Sequence, residues 1–306
     1  MGFEATGEGI AASIFLSLYT IYSVIALYVV YKAGFRSRYT TLLFFGIIRV
    51  GAQLSGVAFS KLGYGYWKWL VAYLVLGAEG YFMLILSSFY FISRALEDKF
   101  GYSWLLQPLD NCRQPEPPKD DKTKWYLRFL RPTCATIFHN ILIAANAIII
   151  AGGTTLTSVD PSDYDSEKDK VNTSKALRSS GQATFLFLTV CLFLLSIYCR
   201  VRNNVTGHSI YLVMIVLPFL FVRGIYGLLS CFVSKMNYFQ LSNYGESGLS
   251  TYFVATEYAL ATTMEFLSAS ILLSNYYITR YLNKQELYFV TENSTKKEVL
   301  ESDSNV

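Results

Sequence analysis

Seven stretches of mostly apolar residues constrain this chain more than any motif in it. A helix of about 20 such residues matches the hydrocarbon thickness of a bilayer. The stretches are Gly9–Tyr31, Thr40–Ser60, Trp67–Ser93, Ala135–Thr157, Gln182–Cys199, Ser209–Phe232 and Thr251–Thr279. Charged residues make up 16% of the chain, against about 25% in soluble domains. The expectation is an all-α membrane protein, a bundle of seven transmembrane helices occupying residues 1–282, with the lipid bilayer as its first partner. The first stretch is full length, follows Glu4 and Glu8 rather than basic residues, and runs into Lys32. It therefore reads as an uncleaved span and not as a secretory signal.

Orientation follows from the basic residues near the span ends. One side carries Lys32, Arg36 and Arg38, the eight Lys and Arg of the 94–134 loop, Arg200 and Arg202, and the basic residues after Thr279. The other side carries only Lys61, Lys68, Lys168, Lys170, Lys175, Arg178 and Lys235. The basic side is expected in the cytoplasm, which puts the N-terminus outside and the C-terminus inside. A glycosylation acceptor at Asn172, in a stretch read as the acidic loop Ser158–Gly181, falls on the outer side and agrees. The 94–134 loop is a long cytoplasmic excursion and a candidate docking site for a cytoplasmic partner. Within it, Trp125–Arg131 alternates bulky and basic residues, as a segment lying on an anionic leaflet would. Residues 283–306 form a polar cytoplasmic tail, expected to be disordered from Glu292 onward. The setting is the plasma membrane or an endomembrane.

Ionisable residues at membrane depth are costly and usually mark function. Five stand out: Arg49, Glu79, Arg223, Glu257 and Glu265. Unpaired at the centre of a span each would cost about 2.5–3.5 kcal/mol, so they should face one another or a wet cavity. Arg49, Glu79 and Glu265 lie near mid-depth, and Arg223 and Glu257 lie nearer the outer face. The expected pairs are Arg49 with Glu79 or Glu265, and Arg223 with Glu257, leaving one carboxyl over. Gln53, Tyr226 and Asn146 sit on the same helix faces and complete a candidate charge network or ligand cavity. Pro218, the one proline inside an apolar stretch, should bend the sixth helix.

Several chemistries lack their required residues. No Lys occurs in 251–279 to hold retinal, and only His139 and His208 are available for a metal. Repeated prolines, Walker loops, nucleophile elbows and dinucleotide fingerprints are missing. The sequence thus points away from an enzyme, and no metal, cofactor or nucleic-acid partner is expected. The five cysteines have no paired spacing and suggest no disulfide framework.

Five segments together resemble one family. They are Phe45–Arg49, Leu142–Gly153 (LIAANAIIIAGG), Ala176–Gly181 (ALRSSG), Leu217–Tyr226 (LPFLFVRGIY) and Met264–Phe266. The pattern is similar to an uncharacterised fungal family of seven-helix membrane proteins, classed as a domain of unknown function. The resemblance implies the same topology and a fungal membrane setting, and no activity. The leading expectation is a receptor-like or sensor protein whose Arg and Glu residues line a cavity for a small-molecule or lipid ligand. The rivals are a transporter or exporter of a small amphipathic molecule, and a scaffold whose charges are only structural.

Overall fold

The computed structural model describes residues 6–63, 66, 68–107, 109, 132–157, 168–238, 240, 243–245 and 248–303. Six helices are long and apolar enough to cross a membrane: α1 (Thr6–Ala33), α2 (Tyr39–Leu62), α3 (Lys68–Phe100), α4 (Cys134–Thr157), α5 (Lys168–Val201) and α6 (His208–Phe232). A further helical run, here α7, joins Thr251–Glu257, a π-helical turn at Tyr258–Thr262, and Thr263–Asp303. Between α6 and α7 a two-residue antiparallel pairing links β1 (Tyr244–Gly245) to β2 (Gly248–Leu249).

The helices follow one another up and down, so short turns define two ends of the bundle. The α1–α2 turn marks one end and the α2–α3 turn the other. At the first turn Gly34 takes φ 91°, a conformation that costs glycine little, and its N–H closes α1 on the Val30 carbonyl. Central α3 packs against α2, α4, α5, α6 and α7. A large apolar cluster fills the α1–α2 end, with Val29, Leu42, Leu84, Ile92, Leu192 and Val213 fully buried. A smaller cluster at the α2–α3 end gathers Ala12, Phe59, Leu70, Tyr73 and Phe253. Large apolar side chains on the rim, such as Ile21, Val24, Phe187 and Leu194, are more than half exposed. A belt of that kind suits lipid and would be a liability in water.

Three boundaries differ from the sequence reading. First, α5 begins at Lys168, so 168–181 is helix and not part of a loop. Its early turns are polar, and apolar content alone places the start at Gln182. Second, α3 continues to Phe100, past Ser93, where Arg94 pairs with Glu97 and Asp98 at 3.0 Å on successive turns. Third, helix persists to Asp303 where a disordered tail was expected; the run from Thr251 contains neither Gly nor Pro to stop it. The Trp125–Arg131 segment lies outside the described residues.

Candidate functional site

The site is organised by one carboxylate. Glu265 of α7 is fully buried and binds a guanidinium on each oxygen. Arg49 of α2 donates from Nη2 to Oε2, and Arg223 of α6 donates from Nε to Oε1 at 2.6 Å. Of the two partners expected for Arg49, the structure selects Glu265. The expected Arg223–Glu257 pair does not form, because Arg223 turns to Glu265 instead. Arg49 reaches its partner across α3, and the crossing point is Gly80. A Cβ there would lie 2.6 Å from Arg49 Nε and 3.1 Å from Glu265 Oε2. Any larger residue would push the pair apart.

The π-helical turn explains how Glu257 and Glu265 come to serve one region. Eight residues along a regular α-helix leave two side chains roughly 80° apart. A π-helical step turns the chain by less than an α-helical step, so the turn at Tyr258–Thr262 brings them towards one face. Tyr19 of α1 donates to the Thr262 carbonyl at 3.1 Å inside this turn.

Among the described residues, Glu257 binds no cation directly. Its two oxygens accept hydrogen bonds from tyrosine hydroxyls, Tyr73 of α3 at 2.6 Å and Tyr238 in the segment before β1. Glu79 is only half-buried and accepts from Asn146 Nδ2 at 2.5 Å. Gln53 is buried on α2 and accepts from Tyr258 at 3.2 Å. Glu8, in the first turn of α1, is 4% exposed and has one oxygen without a partner among the described residues.

Against this network lies a cavity of about 120 Å³ at the α2–α3 end. Arg49, Arg223, Tyr226 and Glu257 line it; Gln53, Glu79, Asn146 and Glu265 are not part of its wall. Three lining groups are buried with an atom left unbonded among the described residues, Arg49 Nε, Gln182 Oε1 and the Tyr226 hydroxyl. Its apolar wall comes from Val71, Leu74 and Val75 of α3 and Ile149 and Ile150 of α4. Towards the α1–α2 end the large apolar cluster closes it. Pro218 lies within α6, whose helix runs unbroken across it. Asn172 is exposed, on helix α5 and not in a loop.

The sequence reading missed five contributors. Arg178 was counted as a loop cation, yet α5 carries it to the cavity wall. Gln182, Tyr73 and Tyr238 were overlooked, and Glu8 was read as an outside charge. The i, i+4 spacing of Arg178 and Gln182 was available as a signal once α5 is extended. Nothing local marks Tyr73 and Tyr238, since their hydroxyls meet Glu257 only through the tertiary fold.

Six membrane-length helices around a buried charge network define a multi-pass integral membrane protein. The family model described as a domain of unknown function (DUF7702) matches residues 121–274. The chain belongs to that family. The matched segment includes Asn146, Arg178, Gln182, Arg223, Tyr226, Glu257 and Glu265, and stops short of Arg49, Tyr73 and Glu79. No curated protein and no solved structure matches the chain.

Proposed function

We propose that this protein is a non-enzymatic, receptor-like sensor with seven spans, α7 being the seventh. Its N-terminus and the cavity face the outside, and its C-terminus lies in the cytoplasm. The observation that carries this reading is a cavity confined to one end of the bundle. Polar groups with spare hydrogen-bonding capacity line it, and the apolar cluster plugs it from the other end. A transporter would need open polar groups along the whole depth, whereas between Glu265 and the α1–α2 end a large apolar cluster fills the core and buried polar side chains such as Asn275 and Ser209 bond one another. Glu257 and Glu265 make α7 more polar than the other helices, but tyrosines satisfy the first and arginines the second. Both are therefore compatible with a span. The basic loop after α3 then faces a cytoplasmic partner, and Asn172 lies on the glycosylated side.

The scaffold reading draws support from one specific feature, the Arg49–Glu265–Arg223 link, which fastens α2, α6 and α7 together. Cells expressing the protein, the cavity-filling Ile150→Trp variant or Glu257→Gln separate the readings. Response and uptake are measured across lipids, small amines and small acids at matched surface levels. The receptor-like reading expects the variants to reach the surface, lose the response and leave uptake unchanged. Loss of uptake instead supports transport, and a full response with the cavity filled supports the scaffold.

A further inference from the structure

We propose that the cavity selects a small anionic amphipath, one carboxylate on a compact apolar body. This rests on reading the cavity as a ligand site and adds what that ligand must be. The argument compares which hydrogen-bonding positions are used and which are open. Glu257 is the one acidic residue in the cavity wall among the described residues, and tyrosines bond both its oxygens; arginines bond both oxygens of Glu265, and the unpartnered oxygen of Glu8 is not in that wall. An amine entering the cavity would have to share the Glu257 oxygens with the two tyrosine hydroxyls.

The cations are in the opposite condition. Among the described residues, Arg223 makes one hydrogen bond, through Nε, and its guanidinium carbon lies 5.0 Å from the centre of the Tyr81 ring. Arg49 likewise bonds only through Nη2. A guanidinium has five N–H donors, so most of the donor capacity of both residues is unused. Both line the cavity. The Tyr226 hydroxyl is a further donor without a partner, and the Gln182 amide, turned by half a rotation, presents its NH2. Two guanidinium groups on one carboxylate also leave the triad with an excess positive charge. A ligand carboxylate would complete these donors bidentately, as arginine forks commonly do.

Size sets the rest of the molecule. A cavity of about 150 Å³ lined by apolar side chains holds benzene, and this one has about 120 Å³. Val71, Leu74, Val75 and Ile150 supply the apolar side. The ligand body is therefore about one ring or a short branched chain, with its head towards Arg223 and Tyr226.

The test uses the full-length protein in lipid nanodiscs and three probes that share a ring and differ in charge: benzoate, benzyl alcohol and benzylamine. Thermal unfolding and equilibrium titration read binding. Benzoate alone is expected to raise the unfolding temperature saturably. Arg223→Gln should weaken benzoate about tenfold or more, as expected for a lost charge-assisted hydrogen bond. That change also breaks an ion pair, so Tyr226→Phe gives a second reading. It leaves the triad intact and should weaken benzoate about three- to tenfold with the unfolding temperature of the free protein unchanged. Ile150→Trp should abolish binding. Benzylamine or benzyl alcohol binding as tightly as benzoate overturns the inference and leaves the ligand-site reading standing. Benzoate binding equally well to Ile150→Trp places it elsewhere and also overturns the inference. If no probe binds and Ile150→Trp keeps a full cellular response, both fall.

Discussion

At the α1–α2 end of the bundle, buried polar side chains complete one another. Asn275 accepts from Ser209 and donates to Tyr39, each at 3.1 Å, Ser93 meets Ser103 at 2.8 Å, and the half-buried His208 meets Thr279 at 2.7 Å. At the α2–α3 end, Glu8, Gln53, Gln182 and Tyr226 are equally buried, and each keeps a polar atom without a partner among the described residues. The first end has its own exceptions in Ser37 and Arg38, which lie in the exposed α1–α2 turn, where Arg38 rests over Phe91. The contrast separates two uses of polarity in an apolar medium. Completed hydrogen bonds fasten helices, and incomplete ones at depth cost stability that a bound partner would restore.

Substitutions can break that comparison. The largest loss is expected from Glu265→Gln, which removes the charge facing two buried guanidinium groups. About 3–5 kcal/mol should disappear, read as a fall in unfolding temperature in detergent. A loss of under about 1 kcal/mol would mean that water already reaches the triad. Next comes packing: Leu84→Ala at the closed end should cost about 2–5 kcal/mol, whereas Val75→Ala already borders empty space and should cost well under half of that. Equal losses would show that the cavity collapses in the folded protein. Smaller again is the tyrosine pair. Tyr73→Phe removes a bond to Glu257 and should cost about 1–2 kcal/mol, while Tyr226→Phe, whose hydroxyl has no partner among the described residues, should change stability by less than about 0.5 kcal/mol. Last, Asn172→Gln should remove one glycan-sized mobility step without altering stability. A missing step in the parent protein would leave the outward placement of the cavity end unsupported.

Much of this organisation was visible in the sequence, and the failures have physical causes. The apolar runs located six helices and the start of α7, because lipid imposes length and hydropathy directly on sequence. Arg49, Arg223, Glu257 and Glu265 were found for the same reason, being conspicuous at depth. Their pairing was only half legible. Counting residues from a helix end gives depth but not azimuth, and the π-helical turn at Tyr258–Thr262 changes azimuth with no signal in composition. Arg178 was misplaced because the early turns of α5 are polar, and hydropathy cannot tell a polar helix from a loop. The tyrosines that hold Glu257 were invisible because a Tyr in a span reads as part of an aromatic belt.

The two arginines on Glu265 have a kinetic consequence. A single carboxylate cannot follow two helices moving in different directions. If α6 swings away from α2, one ion pair must break before the other, and the carboxylate stays with whichever helix α7 accompanies. The resting bundle thus has two distinct first steps out of its closed state, one releasing Arg49 and one releasing Arg223. Only the second frees the arginine that projects into the cavity from α6, the helix that carries Pro218. Motion that begins there would leave the α2–α7 pairing standing as a fixed wall.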